Sequence, residues 1–242
     1  MRINIHGGHN ADGRTACGAI GFIRESTEAR RVKDAVIGML RQLDHTVYDC
    51  TVDDAAGVSD NLRQIVAKCN AHDVDLDVSI HFNSGAKDSR GNGRTTGTET
   101  YVYSASSKAK TYAERVCQAI AGLGFRNRGV KYSTGLYVLR NTNSPAMLVE
   151  CCFVDDRDDV QLYDCQAMAE AIVYGLTGQR VAKEEQPDTN PEQVAPGEET
   201  AAGDNRRLKR VQLGAYCVTS NAEAMLARAK AAGFSDAIIV NA

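Results

Sequence analysis

The feature that most constrains the fold is an alternation of strand-like and helix-like segments along residues 1–178. From Glu28 onward, apolar residues recur at intervals of three and four and form one stripe of an amphipathic helix. Such helical patterns separate most of the short apolar or alternating runs that are typical of strands. These runs lie at residues 2–6, 46–50, 76–81, 98–103, 136–139 and 146–150. Strands that alternate with helices favour a sheet covered by helices on both faces, so we expect an α/β fold.

The composition changes near residue 180. Three of the four prolines and seven acidic residues fall within 180–205, which contains no aromatic residue. So few apolar side chains cannot bury enough surface to offset the entropy of ordering, and a linker is predicted there. The formal charge is −2 before this stretch, −5 within it and +4 after it. We expect three parts: a main domain at 1–178, an acidic, proline-containing linker at 179–205 and a small segment at 206–242.

The composition also disfavours several classes of protein. No run approaches 18 apolar residues, so no membrane span is expected. The first seven residues contain no apolar core of the length that a secretory signal needs, so we expect synthesis without a signal peptide. A net charge of −3 argues against generic nucleic-acid binding. The eight cysteines show no CxxC spacing and are expected to be reduced, mostly buried thiols.

Three side chains of catalytic type are predicted at the carboxyl ends of strands. His9 follows the first strand and two glycines, His81 ends the third strand, and Glu150 ends the last apolar run. Ligands of open α/β sheets bind outside the carboxyl ends of the strands. These side chains are therefore expected to share one site, with His6 of the first strand pointing into or across it.

Two histidines and a carboxylate, with a fourth position open, form a standard catalytic zinc arrangement. Glu25 precedes the first long helix and is a candidate for the carboxylate ligand, but Glu28, three residues later, could replace it. Glu150 lies amid apolar residues, where an unpaired carboxylate costs free energy. Such a group suits the second carboxylate of a zinc hydrolase, which takes a proton from the attacking water and passes it to a leaving amine.

Six motifs follow one another along residues 1–178. They are GH at 8–9, GAIG at 18–21 with Glu25, VSIHFNS at 78–84, GTETYV at 97–102, LYVLR at 136–140 and PAMLVE at 145–150. In content and order they resemble the zinc-dependent N-acetylmuramoyl-L-alanine amidases of the Amidase_3 type, and in particular the clostridial phage endolysins.

The resemblance implies a twisted sheet of about six strands flanked by helices and one zinc ion per chain. Matched motif by motif, His9, Glu25 and His81 would be the zinc ligands and Glu150 the catalytic carboxylate. The implied reaction is hydrolysis of the amide between the lactyl group of N-acetylmuramic acid and L-alanine in bacterial peptidoglycan. A phage lysin of this kind would be made in the host cytoplasm and would degrade the cell wall after its release.

The segment at 206–242 carries a second, partial resemblance. It is predicted to form a small βαβ unit, and its VQLGAY and AAGF runs resemble the first half of a SPOR domain, a peptidoglycan-binding module. A segment of about 37 residues without disulfides is shorter than a domain usually needs to fold alone. We therefore expect this segment to bind the wall or to pair with a second copy in a homodimer or higher oligomer.

Two other functions stay open on the sequence alone. A non-catalytic peptidoglycan-binding protein could use the same domain, although binding does not call for a second carboxylate such as Glu150. A zinc carboxypeptidase on a similar fold would need an arginine for the substrate carboxylate, and Arg140 is available. A nucleotide-binding enzyme is disfavoured because no strand is followed by GxGxxG or a P-loop.

Overall fold

The computed structural model describes residues 1–181. Beyond them it describes three single positions, Leu226, Lys230 and Ile238. The predicted linker and the half-SPOR-like βαβ segment therefore lie almost entirely outside the described residues. No helix in the described part of the chain is both long enough and apolar enough to cross a membrane.

The described part forms one sheet flanked by helices. The strands are β1 (Arg2–Gly7), β2 (Thr46–Asp49), β3 (Leu76–Asn83), β4 (Thr98–Val102), β5 (Asn127–Tyr132) and β6 (Ala146–Phe153). The helices are α1 (Glu25–Gln42), α2 (Val58–Asn70), α3 (Lys110–Ala121), α4 (Tyr137–Asn141), α5 (Arg157–Leu162) and α6 (Cys165–Thr177). The sheet order is β2-β1-β3-β6-β4-β5, with β4 antiparallel to β6 and the other neighbouring pairs parallel. The predicted α/β fold, with a mixed sheet of six strands between helices, is confirmed.

Two apolar cores lie on opposite faces of this sheet. Along β6, Met147 and Val149 belong to the larger core, whereas Ala146 and Leu148 belong to the smaller one. Successive side chains of a strand point to opposite faces. Helices α1, α3 and α6 contribute to the larger core, and α2 and α4 contribute to the smaller one. Glu150, two residues after Leu148, continues the face of the smaller core.

Two elements differ from the predicted pattern. Of residues 136–139, predicted as a strand, 137–139 lie in α4 and Leu136 directly precedes it, and β5 is absent from the prediction. A short apolar run does not distinguish a strand from a buried helix, and Val138 and Leu139 are buried in the smaller core. β5 is an edge strand whose residues are exposed or half-buried, so it shows no apolar alternation. The strand count agrees with the prediction although one strand is a different segment.

The connection from β3 to β4, residues 84–97, is fixed by four aspartates that follow β6. Asp155, Asp156, Asp158 and Asp159 accept hydrogen bonds from eight backbone N–H groups of this loop. The donor–acceptor distances lie between 2.7 and 3.2 Å. The path of the loop is therefore set mainly through its own backbone.

Candidate metal centre

His9, Glu25 and His81 come together at the carboxyl edge of the sheet. Nε2 of His9 lies 3.1 Å from Oε1 of Glu25, and Nδ1 of His81 lies 3.0 Å from the same oxygen. One donor atom from each side chain lies within 4.8 Å of the other two. Glu25 is the first residue of α1, His81 lies near the end of β3, and His9 lies in the loop after β1. The structure thus brings the three predicted ligands into one group, hereafter the metal-ligand cluster.

Arg30 holds the loop that carries His9. The backbone of His9 has a φ of 62°, a left-handed conformation that is uncommon for residues other than glycine. All five N–H groups of the Arg30 guanidinium are used, one by the carboxylate of Asp53 and four by backbone carbonyl oxygens. The four carbonyl acceptors belong to Gly8, His9, Ser26 and Val52. Arg30 therefore ties the His9 loop to α1 and to the segment that follows β2.

Two glycines leave room for the ligand side chains. A Cβ atom on Gly8 would overlap the imidazole ring of His81. A Cβ atom on Gly18 would lie 2.6 Å from Oε2 of Glu25 and 2.8 Å from Cδ2 of His9. Gly18 also has a φ of 81°, which other residues rarely adopt. The GH and GAIG motifs therefore supply the space that the cluster needs.

Glu25 is suited to stay ionised between the two histidines. Burial alone would raise the pKa of its carboxyl group. The hydrogen bonds with His81 and His9 outweigh that effect and hold the pKa well below its usual range. The other oxygen, Oε2, accepts a hydrogen bond of 2.7 Å from the backbone N–H of Ala19. The cluster therefore carries one negative charge at neutral pH from Glu25.

The donor set of the cluster fits zinc. Two imidazole nitrogens and one carboxylate oxygen are ligands that catalytic zinc sites use, and a fourth position stays open for water. Donors at about 2.0–2.1 Å from a tetrahedral ion lie about 3.3 Å apart. The separations of 3.0 and 3.1 Å are close to that value. The side chains of His9 and His81 are 31% and 16% exposed, so the open position is accessible to solvent.

Glu28, the other candidate ligand on α1, makes different contacts. Its carboxylate accepts a hydrogen bond of 2.9 Å from the hydroxyl group of Tyr163 and one of 3.1 Å from Arg31. Glu25, not Glu28, contacts both histidines. The geometry therefore separates two carboxylates that the sequence could not distinguish.

Glu150 lies beside His81, because the two are register partners on the parallel strands β3 and β6. Its Oε2 atom is buried and has no hydrogen-bond partner among the described residues. Burial, together with the nearby carboxylates of Glu25 and Glu99, raises the pKa of Glu150 to about 8. A carboxyl group that is not held by other side chains and titrates near neutral pH is suited to accept and release a proton.

Besides the metal-ligand cluster, a pair of opposite charges lies beside Glu150: Glu99 and Arg128. The sequence does not predict this pair. Glu99 lies opposite Glu150 on the antiparallel ladder between β4 and β6. It is buried and accepts hydrogen bonds from Nε of Arg128 at 2.7 Å and from the side chains of Asn83 and Tyr101 at 2.9 Å. The one available signal was an acidic residue inside the predicted strand TETYV, since a buried acid needs partners.

Two further residues considered in the sequence lie outside the cluster. His6 is buried on β1, and its Nδ1 lies 3.4 Å from Oγ of Ser79. Burial and the neighbouring His81 lower the pKa of His6 to about 3, so its ring is neutral. Arg140 is exposed on α4, with its guanidinium carbon 5.9 Å from the ring centre of Tyr137.

The surroundings of the cluster differ on its two sides. An apolar cavity of about 270 Å³ adjoins it on the side of α2 and α4, where Leu62 and Leu136 line the cavity together with His81. The Glu99–Arg128 pair lies on the other side of β6, on β4 and β5. A polymer bound across the site would therefore meet an apolar surface on one side and a charged one on the other.

Comparison with known proteins gives a family match over most of the described residues. The Amidase_3 family model, described as N-acetylmuramoyl-L-alanine amidase, matches residues 3–178. An uncharacterized protein of Clostridium perfringens is 38% identical over 164 residues, which are 67% of this chain and 47% of that protein. The N-acetylmuramoyl-L-alanine amidase CwlM of Bacillus licheniformis is 30% identical over 182 residues, 74% of this chain and 62% of that protein. The chain spans about half the length of the first of these relatives.

Solved structures share the fold. The catalytic domain of CwlV, an N-acetylmuramoyl-L-alanine amidase from Bacillus (Paenibacillus) polymyxa var. colistinus, is 28% identical with a TM-score of 0.60. The match covers 74% of this chain and 97% of that domain. The catalytic domain of the CD27L endolysin, which targets Clostridia difficile, has a TM-score of 0.66 at 24% identity and covers 75% of this chain and 99% of that domain. At that identity the second likeness concerns the fold alone.

Proposed function

The chain belongs to the N-acetylmuramoyl-L-alanine amidase family, and we propose that it hydrolyses the amide between the lactyl group of N-acetylmuramic acid and L-alanine in peptidoglycan. The observation that carries this proposal is the position of Glu150. Glu150 is the register partner of His81, one of three side chains that fit a zinc ion. Its Oε2 atom is buried and has no hydrogen-bond partner among the described residues. Amide hydrolysis needs an activated water and a group that transfers its proton to the leaving nitrogen.

We propose that His9, Glu25 and His81 hold one zinc ion per chain. When bound, zinc lowers the pKa of a coordinated water to about 7 and polarises a carbonyl group. Glu25 provides the anionic ligand, because its hydrogen bonds to the histidines keep it ionised. Arg30 orients His9 through the backbone carbonyl of that residue.

Glu150 is the proposed proton-transfer group. Its Oε2 atom accepts no hydrogen bond from the part of the chain that the structure describes, so none has to break before it accepts a proton from the attacking water. The protonated carboxyl group then donates to the nitrogen of the leaving L-alanine, which avoids expulsion of an amide anion. Because burial and two nearby carboxylates raise its pKa, both protonation states of Glu150 are accessible near neutral pH.

A non-catalytic peptidoglycan-binding protein is the less favoured alternative. A buried carboxyl oxygen without a hydrogen-bond partner, such as Oε2 of Glu150 among the described residues, costs free energy, and binding of the polymer alone does not require such a group. The carboxypeptidase alternative needs an arginine that binds the substrate carboxylate. Its candidate, Arg140, is exposed on α4 and does not belong to the metal-ligand cluster.

Mass spectrometry of purified peptidoglycan after digestion tests the proposal. The zinc-loaded, full-length chain should release peptides with a free L-alanine amino group and leave glycan strands with free lactyl carboxylates. Glu150→Gln, which is nearly isosteric, is the matched control and should leave the polymer largely intact. New ends at D-alanine or within the glycan would show that a different bond is cut.

We further propose that this activity serves lysis of the bacterial cell wall after synthesis in the host cytoplasm. The relatives include the endolysin of Bacillus phage SPP1, which is 38% identical over 104 residues, 39% of this chain and 35% of that protein. A loss of turbidity in a suspension of purified walls, absent with Glu150→Gln, is the expected result.

A further inference from the structure

The Glu99–Arg128 pair lies next to Glu150. Glu99 helps to raise the pKa of Glu150, whereas Arg128 has no role in the proposed proton transfer. Glu99 is the antiparallel register partner of Glu150, and the Cβ atoms of such partners lie about 4.5–5.5 Å apart. Nε of Arg128 lies 2.7 Å from Oε2 of Glu99, and its Cζ atom lies 5.0 Å from the ring centre of Phe153. Because Phe153 is the last residue of β6, the guanidinium lies at the same edge of the sheet as Glu150.

Part of the Arg128 guanidinium is available to a ligand. Its Nε–H group binds Glu99, and the four N–H groups of its two terminal nitrogens have no acceptor among the described residues. The side chain is 30% exposed. The two terminal nitrogens form a planar fork that matches the two oxygens of a carboxylate.

The neighbours of Arg128 hold this fork in one orientation. Glu99 is buried and also binds Asn83 and Tyr101, so its carboxylate cannot turn towards the terminal nitrogens without losing those hydrogen bonds. The ring of Phe153 restrains the plane of the guanidinium. A cation that is already oriented loses little entropy when it binds an anion.

We propose that Arg128 binds a free carboxylate on the peptide part of the substrate. The inference rests on the proposed function, because it takes the substrate to be a muramoyl peptide. The carboxyl group of N-acetylmuramic acid is consumed in the amide that is cleaved. A free carboxylate close to that bond therefore belongs to the peptide.

The α-carboxylate of the residue after L-alanine is the group that reaches Arg128. Where this residue is an isoglutamate, its side-chain carboxyl forms the peptide chain and its α-carboxyl stays free. An extended peptide advances about 3.5 Å per residue, and neighbouring strands lie about 4.8 Å apart. When the scissile amide lies at Glu150, the next residue of the peptide therefore comes within reach of the long Arg128 side chain. Elsewhere on this side of the site, the carboxylates of Glu99 and Glu150 would repel the α-carboxylate of the substrate.

The test compares two soluble substrates that differ in this group alone. N-acetylmuramoyl-L-alanyl-γ-D-isoglutamyl-L-alaninamide has the free α-carboxylate and no other carboxylate, and its isoglutamine counterpart carries an uncharged amide there. The zinc-loaded, full-length chain should hydrolyse the first with a kcat/KM about 10–100-fold higher, as expected for charge-assisted hydrogen bonds. The difference should lie mainly in KM, because the carboxylate is remote from the reacting atoms.

Three variants identify the residue responsible. Arg128→Gln should bring the ratio of the two kcat/KM values to about one, also where the loss of the cationic partner of Glu99 changes both of them. Arg128→Lys keeps a cation beside Glu99 but loses the fork, so it should keep a reduced preference. Arg126→Gln, at an exposed arginine of the same segment, is the matched control and should keep the full preference. Zinc content and melting temperature, measured for each variant, check that fold and metal centre are intact.

Equal kcat/KM for the two substrates in the unsubstituted chain overturns the inference, as does an undiminished preference in Arg128→Gln. If Arg128→Gln does not fold, an undiminished preference for the isoglutamate substrate in Arg128→Lys overturns the inference instead. Failure of the unsubstituted chain to cut either substrate between the lactyl group and L-alanine shows instead that the proposed function is wrong, and the inference falls with it.

Discussion

The metal-ligand cluster and the Glu99–Arg128 pair lie on two sides of Glu150 but are held by different parts of the fold. The cluster sits on a loop, a helix start and a strand end, and Arg30 fixes its loop through backbone carbonyl groups. The pair sits on two strands, and side-chain hydrogen bonds fix it. Metal binding and substrate preference should therefore respond to different substitutions, so a variant on one side can serve as the reference for a variant on the other.

The largest effect is expected from the removal of a ligand. His81→Ala leaves only two of the three proposed donors, so zinc and amidase activity should be lost together. Zinc content, measured by atomic absorption on the purified variant, checks this. Arg128→Lys is the reference from the other side and should keep about one zinc per chain. Full zinc occupancy in both His9→Ala and His81→Ala would rule out the cluster as the metal site.

Glu150→Gln should lower kcat by a factor on the order of 10²–10⁴, the usual contribution of a positioned acid–base group, while zinc stays bound. The amide has almost the same shape but cannot accept the proton of the attacking water. Initial rates on a soluble muramoyl dipeptide measure the change. Glu28→Gln is the control and should keep its zinc, because Glu28 contacts Tyr163 rather than the histidines. A loss of zinc in that control would move the ligand assignment from Glu25 to Glu28.

Arg30→Lys should weaken zinc binding about 10–100-fold, the usual effect of disturbing a residue that orients a ligand. A lysine cannot replace five hydrogen bonds, so the left-handed backbone at His9 loses its support. Competition with a chelating dye gives the dissociation constant, and urea unfolding of the zinc-free variant gives its stability. A loss of stability with an unchanged zinc affinity would mean that Arg30 supports the fold and does not position His9.

The contribution of Glu150 to the stability of the zinc-free protein should fall as the pH rises from about 5 to 8. Because the pKa of Glu150 is raised to about 8, the folded state holds a proton that the unfolded state releases near its ordinary value. The free energy of unfolding then falls by at most about 1.4 kcal/mol per pH unit from this group and levels off above pH 8. Urea midpoints of the zinc-free chain and of Glu150→Gln, compared at each pH, isolate the contribution. Parallel pH profiles of the two proteins would contradict it.

The smallest effect on catalysis is expected from truncation after Gln179, because both sides of the site lie within residues 1–178. The truncated chain should hydrolyse a soluble muramoyl dipeptide with an unchanged kcat/KM. We propose that residues 206–242 join two copies, so light scattering should show a dimer for the full-length chain and a monomer after truncation. A monomeric full-length chain at concentrations on the order of tens of micromolar would exclude the dimer.

Much of the metal-ligand cluster could be predicted because topology brings its residues together. His9 and His81 follow or end neighbouring parallel strands, and the carboxyl ends of such strands meet at one edge of the sheet. Glu25 and Glu28 could not be separated, since both lie in the first turn of α1. Which of them contacts the histidines depends on the conformation of the loop before the helix, and no local pattern encodes that contact.

The Glu99–Arg128 pair could not be predicted, for two physical reasons. Glu99 faces Glu150 only because β4 runs antiparallel to β6, whereas alternating strands and helices lead one to expect parallel neighbours. Arg128 lies on β5, an edge strand that lacks an apolar period. At residues 136–139 a strand was predicted where the structure has the start of a helix, because a short apolar run is compatible with both.

The way in which the 84–97 loop is held has a consequence for evolution. Its backbone is bound by aspartates outside the loop, so most of its side chains can change without altering its path, provided that Gly85, Lys87, Gly91, Gly93 and Gly97 keep their positive φ angles. The loop leaves β3 two residues after His81 and meets β4 just before Glu99. New side chains at the rim of the site can therefore be sampled by natural selection, or by a library confined to these positions, while the reacting groups stay in place. Preferences among cell walls can then diverge faster than the chemistry.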